Sequence, residues 1–168
     1  ELLKISTRIR MGYDSASWWS VDPLYLINLI VPFAFGDFTL TYTDWVHPEA
    51  QALFESLYFG VLPLILCFVV IVNLAKLKDK ESIFLSLILY VSLFLIFGKY
   101  TPVYKFFYDF VPGINNMRFP VKFFFLTAFS VSLLAGKGID YIVSTKDKKQ
   151  NYIKILIIFE IIIIILAF

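Results

Sequence analysis

Four long apolar runs, at residues 58–75, 82–97, 120–136 and 152–168, constrain the fold of this chain more than any other feature. Each approaches the roughly 20 residues with which an α-helix crosses the hydrocarbon core of a bilayer. Hydrophobic residues make up 60% of the sequence and charged residues only 17%, which is far from the balance of a soluble domain. The sequence therefore predicts an all-α integral membrane protein, a polytopic helical bundle.

The runs divide the chain into spans and loops. The first three runs are predicted to be complete spans, and the fourth, 152–168, is cut off by the end of the sequence. The sequence starts without Met and stops within an apolar run, and no signal peptide is recognisable, so we expect an internal fragment of a larger membrane domain.

The charges between the runs predict which loops are cytoplasmic. Loop 76–81 holds three lysines, and loop 137–151 is also rich in lysine, so both are expected in the cytoplasm by the positive-inside rule. Residues 1–57 carry seven acidic and three basic residues. This segment and residues 98–119 are therefore expected on the non-cytoplasmic side of the membrane.

Two short helices are predicted in those non-cytoplasmic loops. Asp22 and Pro23 form a helix start signal, and the apolar stretch that follows stops at Pro32, which suits an interfacial or re-entrant helix. Thr101 and Pro102 repeat the signal. Apolar residues then recur at helical spacing up to Phe110, so an amphipathic helix at the membrane surface is expected there.

The segment from residue 115 to 122, at the mouth of the third span, is the strongest candidate for ligand binding. Arg118 and Lys122 are four residues apart and would share one face of a continuous helix, although Pro120 interrupts the pattern, and Asn115 and Asn116 precede them. A guanidinium with a nearby ammonium suits a lipid-linked phosphate. The alternative is that both cations only anchor the end of a span in lipid headgroups.

Other polar residues give weaker signals. Glu160 lies within the fourth run, where a carboxylate normally faces a protein interior or a water-filled cavity, and either a packing or a functional role is open. The cluster Asp44, His47 and Glu49 lacks a recognised ligand spacing, so no metal site is predicted and a divalent cofactor stays unsupported. The small net charge of +2 does not indicate nucleic acid binding.

Several motifs together resemble the YfhO-type bacterial membrane proteins, which belong with the GT-C-like polytopic glycosyltransferases. The resemblance lies in Asp22 to Gly36, Tyr58 to Leu64, Phe97 to Pro102, the element from Val111 to Phe123 that contains Arg118, and Leu134 to Asp140. It implies a multi-span enzyme that transfers a sugar from a polyprenyl-phosphate donor to a cell-envelope glycopolymer on the outer face. It also implies that Arg118 and Lys122 contact the donor, and that the catalytic carboxylate lies upstream of this chain.

Two other functions stay open from the sequence. One is a transporter or flippase for a lipid-linked or anionic substrate, in which Glu160 would titrate within the membrane. The other is a membrane scaffold without catalytic activity. Both classes share the predicted lipid environment, and neither requires the sugar donor.

Overall fold

The computed structural model describes residues 12–31 and 57–145, and these residues are helical or in turns, without a β-strand. The α-helices are α1 (Tyr13–Ala16), α2 (Val61–Leu77), α3 (Lys80–Ile96), α4 (Pro102–Phe110) and α5 (Phe124–Ser144). Short 3-10 helices cover Pro23–Leu29, Gly98–Tyr100, Ile114–Asn116 and Pro120–Phe123. The predicted start signal at Asp22 is confirmed, because its carboxylate accepts a hydrogen bond from the amide of Leu24 at 2.9 Å.

Helix α5 is the centre of the described fold, because it packs along both α2 and α3 while those two helices contact each other far less. A two-residue turn at 78–79 reverses the chain between α2 and α3. The core between the three helices is aliphatic, formed by Cys67, Val70, Leu85, Leu89, Val131 and Leu134. Buried apolar area of this kind is the main contribution to the stability of such packing.

The contact between α2 and α5 depends on a glycine. A Cβ atom on Gly138 would lie 2.5 Å from the carbonyl oxygen of Leu66, so the backbones meet where a side chain would not fit. Ala128, Ser132 and Gly136 recur every four residues in the same helix, a small-residue spacing that would permit close approach of another helix. Within the described residues the close contact lies elsewhere, because Ser132 and Gly136 are exposed and a Cβ on Gly136 would meet nothing within 4 Å.

The end of the third apolar run also differs from the prediction. The run was expected to end at residue 136 and to give way to a loop at 137–151, whereas α5 continues without a break to Ser144. Gly138 and Ile142 remain buried beyond residue 136, so tertiary packing extends the helix past its most apolar part. Together with the 3-10 turn before it, the helix covers Pro120–Ser144, 25 residues.

Among the described residues, Pro120–Ser144 is the helix that is long and apolar enough to cross a membrane. Helix α2 is apolar but has 17 residues, fewer than a typical span. The prediction of three complete spans therefore exceeds what helix length alone supports. The fourth run, residues 152–168, lies outside the described residues.

The two ends of the bundle have different compositions. Residues 12–31 and 98–119 gather at one end, which we call the loop end; the α2–α3 turn and the last turns of α5 lie at the other, which we call the turn end. Backbone hydrogen bonds fasten the loop end, since the amide of Val21 donates to the carbonyl of Ile96 at 2.9 Å. The amphipathic helix predicted after Thr101 lies here as α4, with Phe110 71% exposed and Tyr104 fully buried.

Candidate functional site

Two bulky residues adopt left-handed backbone conformations where the loop end meets the start of the long helix. Trp19 has a φ of 61° and Phe119 a φ of 72°. Their rings stack with centroids 4.1 Å apart, and the amide of Val121 donates to the carbonyl of Trp19. Such backbone conformations are costly for large side chains and are concentrated at functional sites, so this pair directs attention to its neighbours.

Both predicted cations lie over the ring of Phe119. The guanidinium carbon of Arg118 is 4.8 Å from the ring centroid and the ammonium of Lys122 is 4.9 Å from it. We call Trp19, Arg118, Phe119 and Lys122 the aromatic–cation cluster. The continuous helix on which Arg118 and Lys122 would share a face does not form, because the left-handed Phe119 precedes a 3-10 turn that starts at Pro120. The ring of Phe119 brings the two cations together instead.

The guanidinium of Arg118 is partly unsatisfied. Its Nε is buried and has no hydrogen-bond partner among the described residues. The indole Nε1 of Trp19 is also buried without a partner among these residues. A buried donor without a partner costs about 1–3 kcal/mol, and more when the group is charged. The cluster therefore presents donors and positive charge that an anion would satisfy.

Asn115 and Asn116, the other predicted contacts, lie in the 3-10 helix Ile114–Asn116. Both are half-buried, and this turn packs against α1 rather than along the long helix. The structure thus places them in a turn that contacts α1 and α4. It does not bring them into the stack on the Phe119 ring.

A cleft of about 250 Å³, which was not predicted from the sequence, opens beside α1. We call it the α1 cleft, and it is lined by Tyr13, Asp14, Ser17, Trp18 and Lys99. Lys99 is 81 positions from Trp18 in the chain, so tertiary packing assembles the cleft. The only signal in the sequence was the presence of Asp14 among several acidic residues of the predicted outer face.

Helix α4 holds the α1 cleft in place. The buried hydroxyl of Tyr104 donates to the carbonyl of Ala16 at 3.2 Å, and burial raises the pKa of Tyr104 to about 12, so it remains a donor. The hydroxyl of Ser20 accepts from the amide of Lys99 at 2.9 Å. Tyr13 packs edge-on against Tyr108 with centroids 5.5 Å apart. The walls of the cleft are therefore fixed from both sides.

A second polar group occupies the turn end. Lys137 forms ion pairs with Asp79 at 2.6 Å and with Glu81 at 2.9 Å, and Asp79 also caps α3 by accepting from the amides of Glu81 and Ser82. The hydrogen bond from Lys137, followed by that from the Ser82 hydroxyl, holds the pKa of Asp79 well below its usual range. This group joins the α2–α3 turn to α5.

Some predicted candidates lie outside the described residues: Glu160, and the cluster Asp44, His47 and Glu49. Within residues 12–31 and 57–145, no three His, Cys, Asp or Glu side chains are grouped so that they would hold a metal ion. Cys67 is buried in the core between the helices.

Comparison with known proteins gives no relative for this chain: no family model, curated protein or solved structure matches it. The functional argument therefore depends on the geometry above.

Proposed function

We propose that this chain is part of a multi-pass membrane protein of the bacterial plasma membrane that binds a polyprenyl-phosphate-linked sugar on its non-cytoplasmic side. Its activity would be that of a GT-C-like glycosyltransferase, which transfers the sugar to a cell-envelope glycopolymer. Arg118 and Lys122 would bind the phosphate of the donor. The observation that carries the proposal is the position of both cations over one aromatic ring, at the start of the helix that is long enough to span a membrane.

The chemistry of the aromatic–cation cluster supports a phosphate ligand. A guanidinium offers forked donors that match two phosphate oxygens, and the ammonium adds charge without fixed direction. The buried, unpartnered Nε of Arg118 is a donor already removed from water, so an anion that accepts its hydrogen bond recovers that cost. A lipid-linked phosphate presents its anion at the membrane interface, which is where a span mouth lies.

The surfaces of the long helices support a multi-pass arrangement. Large apolar side chains face outward on all three of them; these include Phe68, Val72, Phe84, Leu87, Phe125 and Phe129. Exposed large apolar side chains on every long helix suit lipid more than water. At 1.5 Å per residue, the 17 residues of α2 and of α3 each extend over about 25 Å, the lower limit of the helix lengths that cross a hydrocarbon core of about 30 Å.

Binding of polyprenyl phosphate to the full-length protein in lipid nanodiscs tests the proposal, with the neutral polyprenol as the comparison ligand. We expect wild type to prefer the phosphate and Arg118→Ala to weaken phosphate binding about 10- to 100-fold, the range for a lost charged hydrogen bond. Arg118→Lys should retain part of the affinity. Lys76→Ala removes an exposed cation at the turn end and serves as the matched control.

Activity then separates the classes of function. A glycosyltransferase releases polyprenyl phosphate from a polyprenyl-phosphate hexose and forms a glycosyl product, and Arg118→Ala should abolish both while protein abundance stays normal. Transport of the lipid without any product would favour a flippase. Equal binding of phosphate and alcohol, unaffected by Arg118→Ala, would refute the assignment of the cluster.

A further inference from the structure

The α1 cleft has the size and the lining of a site for one small ring. Its volume of about 250 Å³ lies below the roughly 300 Å³ at which pockets for drug-sized ligands begin. Trp18 lines it and is 44% exposed, so a flat apolar surface faces the opening. The ring of Tyr13 forms a second aromatic wall.

The two charged side chains that line the cleft have opposite charges. Asp14 contributes a carboxylate and Lys99 an ammonium, while the hydroxyl of Ser17 donates to the carbonyl of Asp14. A free phosphate would meet the carboxylate, and a purely apolar ligand would strip water from both ions. A neutral molecule with many hydroxyl groups suits this lining best, because it both donates to a carboxylate and accepts from an ammonium.

We propose that the α1 cleft binds a single neutral hexopyranose unit, with Trp18 packed on the C–H face of the ring and Asp14 accepting hydrogen bonds from its hydroxyls. The polarised C–H bonds of a pyranose face attract the electron-rich face of an indole, as the positive edge of one aromatic ring attracts the face of another. The assignment of this sugar to a donor or an acceptor rests on the proposed function, whereas the sugar site itself rests on the cleft.

The position of the cleft gives the site a place in that function. Trp18 directly precedes Trp19 of the aromatic–cation cluster, and consecutive Cα atoms are about 3.8 Å apart. The turn that contains Asn115 and Asn116 contacts α1, which carries Tyr13 and Asp14 of the cleft. A phosphate on Arg118 and a hexose on Trp18 therefore occupy neighbouring subsites at the loop end.

Ligand-observed NMR titration of the full-length protein in nanodiscs tests the proposal, with the methyl glycosides of glucose, galactose and N-acetylglucosamine as probes. We expect saturable binding of at least one glycoside, weakened about tenfold by Trp18→Ala and by Asp14→Asn, the effect of one lost stacking or charged contact. Trp18→Phe should restore most of the affinity. Tyr58→Ala, which removes another exposed aromatic side chain, is the matched control.

The proposal is overturned if none of the glycosides saturates, or if the bound glycoside is indifferent to both Trp18→Ala and Asp14→Asn. Asp14 is exposed, so Asp14→Asn keeps the test valid even where Trp18→Ala lowers stability. A cleft that takes inorganic phosphate in preference to every glycoside would also refute it.

Two further measurements separate this site from the phosphate site. If wild type binds a methyl glycoside but shows no preference between polyprenyl phosphate and polyprenol, the sugar cleft is supported and the proposed phosphate site is refuted. If wild type prefers polyprenyl phosphate but binds no methyl glycoside, only the sugar cleft is refuted. If the hexose belongs to the donor, Trp18→Ala weakens binding of a polyprenyl-phosphate hexose more than that of polyprenyl phosphate. If it belongs to the acceptor, Trp18→Ala weakens binding of a glycan oligomer instead.

Discussion

The left-handed conformations of Trp19 and Phe119 place two strained residues where the loop end meets the long helix. A left-handed backbone costs a bulky residue about 1–2 kcal/mol, and nothing in the local sequence recovers that cost. The stack between the two rings and the hydrogen bond from Val121 to Trp19 offset it. In this conformation the cationic groups of Arg118 and Lys122 both lie over the ring of Phe119.

Two buried serines in the helix core provide a matched test of polar burial. The hydroxyls of Ser92 and Thr127 are hydrogen-bonded at 2.8 Å, whereas the buried Oγ of Ser130 has no partner among the described residues. Ser92→Ala leaves the Thr127 hydroxyl without that contact and should lower the free energy of unfolding by about 1–3 kcal/mol. Ser130→Ala removes an unsatisfied group and should leave stability unchanged or raise it by about 1 kcal/mol.

Thermal unfolding of the two variants in the same detergent measures this difference. The same substitution is made in each case and both residues are almost fully buried, so the partner of the hydroxyl is the main variable. Equal melting temperatures for the two variants would contradict the hydrogen-bond assignment.

Residue type predicted part of the candidate site, and three-dimensional structure supplied the remainder. Arg118 and Lys122 were recognisable because two cations four residues apart stand beside a long apolar run, although the continuous helix that would give them a shared face does not form. The positive φ of Phe119 was not predictable, since left-handed residues are usually glycine or asparagine. The α1 cleft was missed because Lys99 reaches Trp18 only through the packing of separate elements.

At the scale of elements, the contact between α2 and α5 should depend on Gly138 and not on Gly136. Gly138→Ala would place a Cβ against the carbonyl oxygen of Leu66, where the backbone must move, so we expect a loss of about 1–3 kcal/mol. Gly136→Ala meets open space and improves helix propensity, which should raise stability by up to about 1 kcal/mol. Unfolding in detergent measures both, and a harmless Gly138→Ala would contradict the close approach.

The same pair of glycines shows why the helix boundary differed from the sequence prediction. Glycine after an apolar run usually signals a helix end, and loss of hydrophobicity after residue 136 reinforced that reading. Packing overrides the signal here, because Gly138 and Ile142 are buried and the helix continues to Ser144. Within the described residues, the helical class and the approximate positions of the three long apolar helices followed from hydropathy alone, while the packed faces did not.

The ion pairs of Lys137 should make the stability of the turn end depend on pH. The pKa of Asp79 is lowered in the folded protein, so its contribution is fully present above the unfolded-state pKa of about 4. That contribution is lost as the pH falls from about 4 through the lower pKa of the folded state. In this range the carboxyl of the unfolded protein is protonated before that of the folded protein, which favours unfolding. The melting temperature should therefore fall below about pH 4 more steeply in wild type than in Lys137→Gln.

Melting temperatures between pH 7 and pH 3 for wild type and Lys137→Gln measure this effect. Lys76→Gln removes an exposed lysine near the same turn and should melt in parallel with wild type at every pH. A constant difference in melting temperature between wild type and Lys137→Gln across this pH range would show that Lys137 does not lower the pKa of Asp79.

At the scale of the whole molecule, the bundle separates two kinds of polar surface. The loop end carries the aromatic–cation cluster, the α1 cleft and α4, and the turn end carries the Lys137 ion pairs. Apolar surface on α2, α3 and α5 lies between them. A membrane around the helices would therefore put the candidate ligand sites on one side and the lysine-rich turn on the other.

This arrangement predicts opposite accessibility of the two ends in intact cells. In a Cys67→Ser background, Asp109→Cys at the loop end should react with a membrane-impermeant maleimide in whole cells. Asp109 is exposed, and it belongs to the segment 98–119 that is expected outside the cell. Lys78→Cys at the turn end should react only after the cells are permeabilised. Labelling of both positions in intact cells would contradict the multi-pass orientation, whereas labelling of Lys78→Cys alone would reverse it and move the proposed phosphate and sugar sites to the cytoplasm.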